Sequence, residues 1–510
     1  MITMKKITNN MFIRLGSFVL LLWVTFACGD DFFNQQAGNR INPDDHYKSI
    51  TDLGVSLDGV IVPLQEVLPN LIMVDGLRSD LMDLTPNSTG DIQELYNHNY
   101  NAGNPLLSIN GFYKVIINAN EVLSNLSRVT EADPNFDEFY QKQVRASLIG
   151  IRAWAYFQII KLTNEAAYIP DNVIEFNPGS PFNYVSRDAM IDTLINQLTP
   201  VIHRDESTVE ISIGYYPNNR ALLGELYLEQ NNFDSTIVYL KSAMESYGND
   251  TKIFKVDKTY SKEDWASIFI SGESAFLENI GVVPYKADEL QPNPLAAWML
   301  PIDQYLVKPS ALVYNLYNSQ MQVKDVPTDQ YRGIGVTIDT LANASETYIK
   351  KYSLLNDIIA GYSQDIIFMR AADIHLKLAE ALNRSGDYAT ALILLNNGFS
   401  GEKKKPAPYI KWASNYGIRG RALLLPRTVP VEITDPGQIM EMVEDFIIEE
   451  RAMELAFEGS RMFDLIRIAQ RRGTPEYLAD RVAAKYPAEK QGEVRNFLMN
   501  KANWYLPYSK

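Results

Sequence analysis

Three glutamates, Glu450, Glu454 and Glu458, follow one another at four-residue steps near the end of the 510-residue chain, and Arg461, Asp464 and Arg467 continue at three-residue steps. Paired carboxylates are the machinery of glycoside hydrolysis, held about 5 Å apart in retaining enzymes and about 6.5–9.5 Å apart in inverting ones. Residues four apart on a helix share one face and do not straddle a sugar. The spacing therefore predicts an ion-pair lattice that locks this helix onto its neighbours. Single Gln substitutions along that face are expected to lower the melting temperature modestly. A surface glycan hydrolase is the competing reading, but the chain has no Walker sequence, no G-x-G-x-x-G, no G-x-S-x-G elbow and no H-E-x-x-H. Arg332-Gly333-Ile334-Gly335 is a partial glycine pair and reads as a turn.

Metal chemistry lacks ligands. The four histidines, His46, His98, His203 and His375, never reach the paired spacing of a zinc-binding helix, and the single Cys28 rules out an internal disulfide or a thiolate cluster. No cofactor is expected. Recognition chemistry is better supplied. In Tyr96-Asn97-His98-Asn99-Tyr100-Asn101, aromatic faces can stack on sugar rings while amides offer both donors and acceptors to hydroxyl pairs. Tyr96, Asn97, Asn99, Tyr100 and Trp298 form the expected ligand-binding set. For Trp298, as for Trp265 and Tyr285, core packing is the alternative role.

These side chains must be held by something. Hydrophobic residues are 46% of the chain and charged residues 21%, ordinary globular usage, and the net charge of −15 argues against nucleic-acid binding. Helical periodicity runs through 111–126 and 139–162. Two stretches match a tetratricopeptide hairpin: Gly224, Tyr227, Asn231-Asn232-Phe233, Thr236, Leu240 and Ala243, then Ala379, Leu382, Gly386-Asp387-Tyr388, Ala391 and Leu395. The two are not tandem. Between them lies a loop-rich lobe with many turn formers, where binding residues concentrate. Gly398 to Pro436, with Lys403-Lys404-Lys405, reads as irregular, and a last long helix is expected over 435–471. At the amino terminus, Lys5, Lys6 and Arg14 precede an apolar run from Leu15 to Ala27 that is too short to span a bilayer and reads as a secretory leader. Ala27-Cys28 at its end resembles the lipobox of bacterial lipoproteins, and Gly29-Asp30-Asp31 resembles a surface-export signal of Bacteroidetes lipoproteins. On that reading Cys28 is lipidated and anchors the protein to the membrane.

Glu450-Arg451, Glu454-Leu455, Glu458-Gly459, Arg461, Asp464-Leu465 and Arg467 closely resemble the C-terminal signature of the SusD/RagB family of outer-membrane nutrient-binding lipoproteins. Arg370-Ala371-Ala372-Asp373 through Ala379-Glu380-Ala381-Leu382-Asn383 is similar to a second family helix, with Asp373 where Glu is usual. Pro309 to Val313, Arg145 to Leu162 and Asn120 to Leu123 resemble further family segments in the same order, while Trp504 to Pro507 resembles the terminal motif and stops three residues later. The resemblance implies a mainly α fold, a tetratricopeptide-like helical-hairpin scaffold with a loop-rich lobe of short strands. Its expected organisation is a signal peptide at 1–27, a lipidated tether at 28–45, an N-terminal helical region at 46–250, the lobe at 251–360 and the signature region at 361–510. It further implies a lipid-anchored protein on the extracellular face of the outer membrane, a SusC-like TonB-dependent transporter as partner, and an oligosaccharide or, as in RagB-like members, a peptide as ligand.

Overall fold

The computed structural model describes residues 46–507 apart from 176–181, 203–214, 246–253, 255, 271–277, 302–303, 324, 342–345, 354–361 and 399–415. Cys28, the leader, the tether and the Lys403-Lys404-Lys405 run lie outside the described residues. Ser49 accepts the N–H of Asp52 and starts α1 (Ile50–Ile61), and α2 (Leu64–Arg78) follows it. Helix α2 is apolar on almost every side, which marks a helix at the centre of a core, and its residues from Leu71 to Arg78 are all buried. The stretch Ile50–Arg78 has the length and composition of a membrane span, yet most of its apolar window, 61%, is covered by the rest of the protein.

Strand β1 (Met82–Leu84) and the short α3 (Gly90–Tyr96) lead into a long antiparallel pair, α4 (Asn110–Ala132) and α5 (Glu138–Thr163). The Asp137 side chain caps the start of α5, and Asn164 closes it in the left-handed conformation that Asn tolerates. Strands β2 (Glu165–Ala167) and β3 (Tyr184–Ser186) pair with each other and deliver the chain to α6 (Arg187–Leu198).

Both expected hairpins form. The first is α7 (Asn219–Glu229) with α8 (Phe233–Glu245), where a Cβ on Gly224 would stand 2.3 Å from Leu240 Cδ2, so only glycine permits that approach. The lobe follows, with α9 (Lys262–Ile270), β4 (Asn279–Val283), α10 (Pro294–Met299), β5 (Val307–Pro309), α11 (Ala311–Asn318) and the short strands β6 (Met321–Gln322), β7 (Val326–Pro327), β8 (Ile338–Thr340) and β9 (Thr347–Ile349). Strand β10 (Ile366–Arg370) pairs back onto β4 and runs directly into the second hairpin, α12 (Ala371–Arg384) with α13 (Tyr388–Asn396). Helix α8 packs against α12, so the two hairpins are neighbours in space and the lobe is an insertion between them. Every sheet among the described residues is two-stranded and antiparallel, with no closed barrel.

The short α14 (Ile418–Arg421) precedes the signature. One helix was expected over 435–471; the structure has two, α15 (Pro436–Glu454) and α16 (Arg461–Arg472). The break lies at Phe457, with φ +64°, and Gly459, with φ +80°. Phe457 is fully buried, so packing of its ring offsets the cost of a left-handed backbone in a non-glycine residue. Helices α17 (Glu476–Ala483) and α18 (Ala488–Met499) complete the fold. The tail returns to the core, where Trp504 is fully buried and the N–H of Leu506 donates to the Leu162 carbonyl at 2.8 Å.

Candidate functional site

Glu450 and Glu454 are buried and Glu458 is partly buried at the edge of a cleft, and all three point into a balanced set of charges. Glu450 accepts from Arg332 at 2.5 Å and Arg419 at 2.6 Å. Glu454 accepts from Arg332 at 2.7 Å, Arg370 at 2.8 Å and also Arg421. Glu458, already past the end of α15, accepts from Arg370 at 2.8 Å and from Lys351. Glu278 takes Arg370 and Arg421, and Asp329 takes Arg332. Trp265 and Phe269 of α9 roof the cluster, the Trp265 ring lying 5.0 Å from the Arg421 guanidinium and the Phe269 ring 4.7 Å from the Lys351 ammonium. Burial pushes Glu454 toward protonation, but Arg421, Arg370 and Arg332 more than reverse this and hold it well below the usual carboxylate range. Such a group is a poor general acid at neutral pH. Both oxygens of Glu450 and Glu454 are occupied by arginines.

The arginines of the signature make a second set of contacts. Arg461 grips Asp80 with two bonds of 2.8 and 2.7 Å, and Asp75 at the end of α2 accepts the N–H groups of Arg461 and Met462 at 3.1 and 2.7 Å, capping α16 from a distant part of the chain. Arg451 bonds Asp464 and Asp373, and Arg467 bonds Glu380 and Asp464. Asp373, standing where the family resemblance expects Glu, still reaches Arg451 at 2.8 Å and Lys377 at 2.7 Å. Sequence spacing identifies the glutamates but not most of their partners: Arg332 sits in a stretch that reads as a turn, and no local pattern marks Glu278, Asp329, Arg419 or Arg421. A row of acids on an otherwise apolar helix demands buried cations, and arginines stranded in glycine-containing loops were the available signal.

The expected ligand-binding residues fall into distinct environments. Tyr96 ends α3 and is only 7% exposed, its ring 4.8 Å from that of Tyr486 and 4.7 Å from the Lys485 ammonium. Asn97 is half-buried, donating to the Gln93 carbonyl and accepting from Lys490 at 2.9 Å. Asn99 is exposed. Tyr100 is half-buried with the Arg78 guanidinium 5.5 Å from its ring centre. The turn thus brings Asn97 and Asn99 to the surface, leaves the Tyr100 ring partly exposed with its hydroxyl buried, and keeps the Tyr96 ring inside. Trp298 is half-buried on α10, its carbonyl accepting the N–H of Leu306, and Thr85 and Ser88 from the loop before α3 bond the carbonyls of Tyr305 and Leu306. The lobe therefore leans on the segment that carries the turn. Among the described residues no hydrogen bond or ring contact joins Trp298 to the turn itself.

A polar cleft lies deeper, between α2, α5, β10 and the 455–460 turn, lined by Trp154, Gln158, Lys161, Glu225, Phe368 and Ser460. Its cavity volume of about 60 Å³ suits a few waters and not a sugar ring. Among the described residues no group of three or more His, Cys, Asp or Glu side chains is arranged to hold a metal ion.

Comparison with known proteins follows the fold. A model of the SusD family matches residues 232–510, more than half of the chain. A SusD-like protein of Formosa agariphila is 21% identical over 509 residues, spanning 91% of this chain and 92% of its own length. Among solved structures, a SusD superfamily protein from Bacteroides vulgatus shares the fold with a TM-score of 0.68 at 18% identity, covering 90% of this chain and 96% of the other. A laminarin-binding SusD-like protein gives a TM-score of 0.61 at 18% identity over the same shares.

Proposed function

The chain belongs to the SusD family, and from that premise we propose that it is a cell-surface lipoprotein that captures oligosaccharide and hands it to a SusC-like TonB-dependent transporter in the outer membrane. Family membership is the observation that carries this reading. It is strengthened by the likeness to a laminarin-binding relative and by a surface turn that offers an aromatic ring beside amides. Binding, not catalysis, is the role that suits the signature: Glu450 and Glu454 are fully buried with both oxygens taken by arginines, and Glu458, at the edge of a cleft too small for a sugar ring, is held by Arg370 and Lys351. The anchor in this scheme is acylated Cys28, and the ligand surface is Asn97, Asn99, Tyr100 and Trp298, with Tyr96 fixing the turn from below.

Calorimetry with a panel of oligosaccharides, laminarin among them, and peptides tests the reading. An open surface of stacking plus a few amide bonds gives weak affinity, on the order of micromolar to millimolar, each hydrogen bond adding about 0.5–1.5 kcal/mol net. Binding of peptides alone would transfer the protein to the RagB-like reading, and release of reducing ends would revive the hydrolase. Replacing Tyr100 or Trp298 by Ala is expected to cost about 1–2 kcal/mol of binding; unchanged affinity in both places the ligand on another loop.

A further inference from the structure

Buried polar atoms without partners are rare in native structures and each asks for a reason. Four of them cluster under the turn that follows α3: both ring nitrogens of His98, the hydroxyl of Tyr100 and Nε of Arg78. His98 is 5% exposed and adopts φ +54°, a left-handed conformation uncommon for a residue with a side chain. Its ring is wedged against two aromatic rings, Tyr486 at 6.3 Å and Phe497 at 5.5 Å. The charged groups that act on it are both cations: Arg78 from the end of α2 and Lys485 from the link between α17 and α18. Lys485 is itself tied to the carbonyls of Leu77, Ser79 and Met82 at 2.5, 2.6 and 3.2 Å, and burial lowers its ammonium to about 7, so its positive charge is complete on the acid side of that value. The remaining titratable neighbours are Tyr96 and Tyr100 on the same turn, Tyr486 beside Lys485, and Asp83 of β1, which acts on Lys485 and the tyrosines.

We infer that His98 is a positioning residue that makes this turn acid-sensitive: neutral, its ring holds Asn97, Asn99 and Tyr100 at the surface, and protonated, it leaves its apolar seat and the turn opens. An imidazolium here would have no acceptor for either N–H and would add a third positive charge to Arg78 and Lys485. Burial, reinforced by those two cations, holds the ring's pKa well below the ordinary histidine value. The closed turn therefore binds fewer protons than the open one. Stability of the closed form is full above pH ~6.5 and is lost as pH falls toward the lowered value, the open-to-closed ratio rising about tenfold per pH unit over that interval. The consequence for ligand capture rests on the proposed function above; the opening itself does not.

Hydrogen exchange read by mass spectrometry tests the opening without any ligand. Wild type, His98→Phe and His98→Asn are compared at pH 7 and pH 5 after correction for the intrinsic exchange rate. Phe keeps an aromatic body and cannot titrate, while Asn accepts a left-handed backbone readily, so one variant reports if the other fails to fold. The expected result is an acid-induced rise of tenfold or more in exchange over 96–104 in wild type, absent from the variants. Equal protection of wild type at both pH values, or the same acid-induced rise in a folded variant, overturns the inference. Failure of every oligosaccharide and peptide to bind would instead overturn the binding function and leave the switch standing.

Discussion

Glu454 shows what burial does to a residue's energetic weight. Exposed pairs at four-residue spacing contribute a few tenths of a kcal/mol, which is the scale the spacing alone suggested. Fully buried between Arg332, Arg370 and Arg421, Glu454 cannot lose its charge without stranding those cations. We expect Glu454→Gln to cost about 3–5 kcal/mol of stability in urea unfolding; a loss under about 1 kcal/mol would show that the cluster relaxes or hydrates. Asp75 has the opposite electrostatic bias. Burial pushes its carboxyl up to about 7, although the N–H groups of Met462 and Arg461 pull it down. A raised native value stabilises the fold below the ordinary carboxylate range and loses that contribution as pH rises through about 7. Asp75→Asn keeps an acceptor for α16 and does not titrate, so between pH 5 and pH 8 its melting temperature should fall less than that of wild type. Parallel curves would mean that Asp75 stays ionised throughout.

At the scale of elements, two glycines set how the signature and the hairpins fit. Gly459 holds φ +80° in the turn between α15 and α16 and lies 3.5 Å from Leu71 and Ile72 of α2 where a Cβ would begin. Gly459→Ala is therefore expected to cost about 1–2 kcal/mol through backbone strain. Gly224→Ala would force Leu240 out of place and cost about 1–3 kcal/mol by overpacking. Thermal melts of the two variants separate them from Gly492→Ala inside α18, which meets nothing within 4 Å and is expected to stabilise by about 0.5–1 kcal/mol through helix propensity. The hairpins were legible because Gly224 with Leu240, and Gly386-Asp387-Tyr388, satisfy a local pattern. The break at 455–460 was not, because helical spacing of Glu450, Glu454 and Glu458 continues across it and the cause is tertiary: Phe457 turns into the core. Arg332 and Glu278 were invisible for a related reason, since what makes them buried partners is supplied more than a hundred residues downstream. Of the candidate surface, the sequence located Asn97, Asn99 and Tyr100 on one turn, but whether a tyrosine faces water or Tyr486 depends on α18 and its link, which no local pattern encodes.

For the whole molecule, the buried carboxylates set the acid limit. Glu380, Glu450 and Glu454 are all pulled below the usual range by arginines that outweigh burial. A lowered native value gives stability that is present above the unfolded value near 4.5 and is lost as pH falls toward the native one. Unfolding should thus steepen below about pH 4.5, and little below 1 M salt should move it, since buried pairs escape screening; a circular-dichroism titration at two salt concentrations checks both. The order in which contacts become available adds a constraint in time. Arg78 donates to the Trp504 carbonyl at 2.8 Å, and Asp75 has its hydrogen-bond partners at Arg461 and Met462. A polypeptide emerges from its amino terminus, so α2, a helix buried in the interior, is finished hundreds of residues before the groups that satisfy its buried polar side chains exist. The protein must spend nearly all of its synthesis unlocked, and its last segment works as the latch.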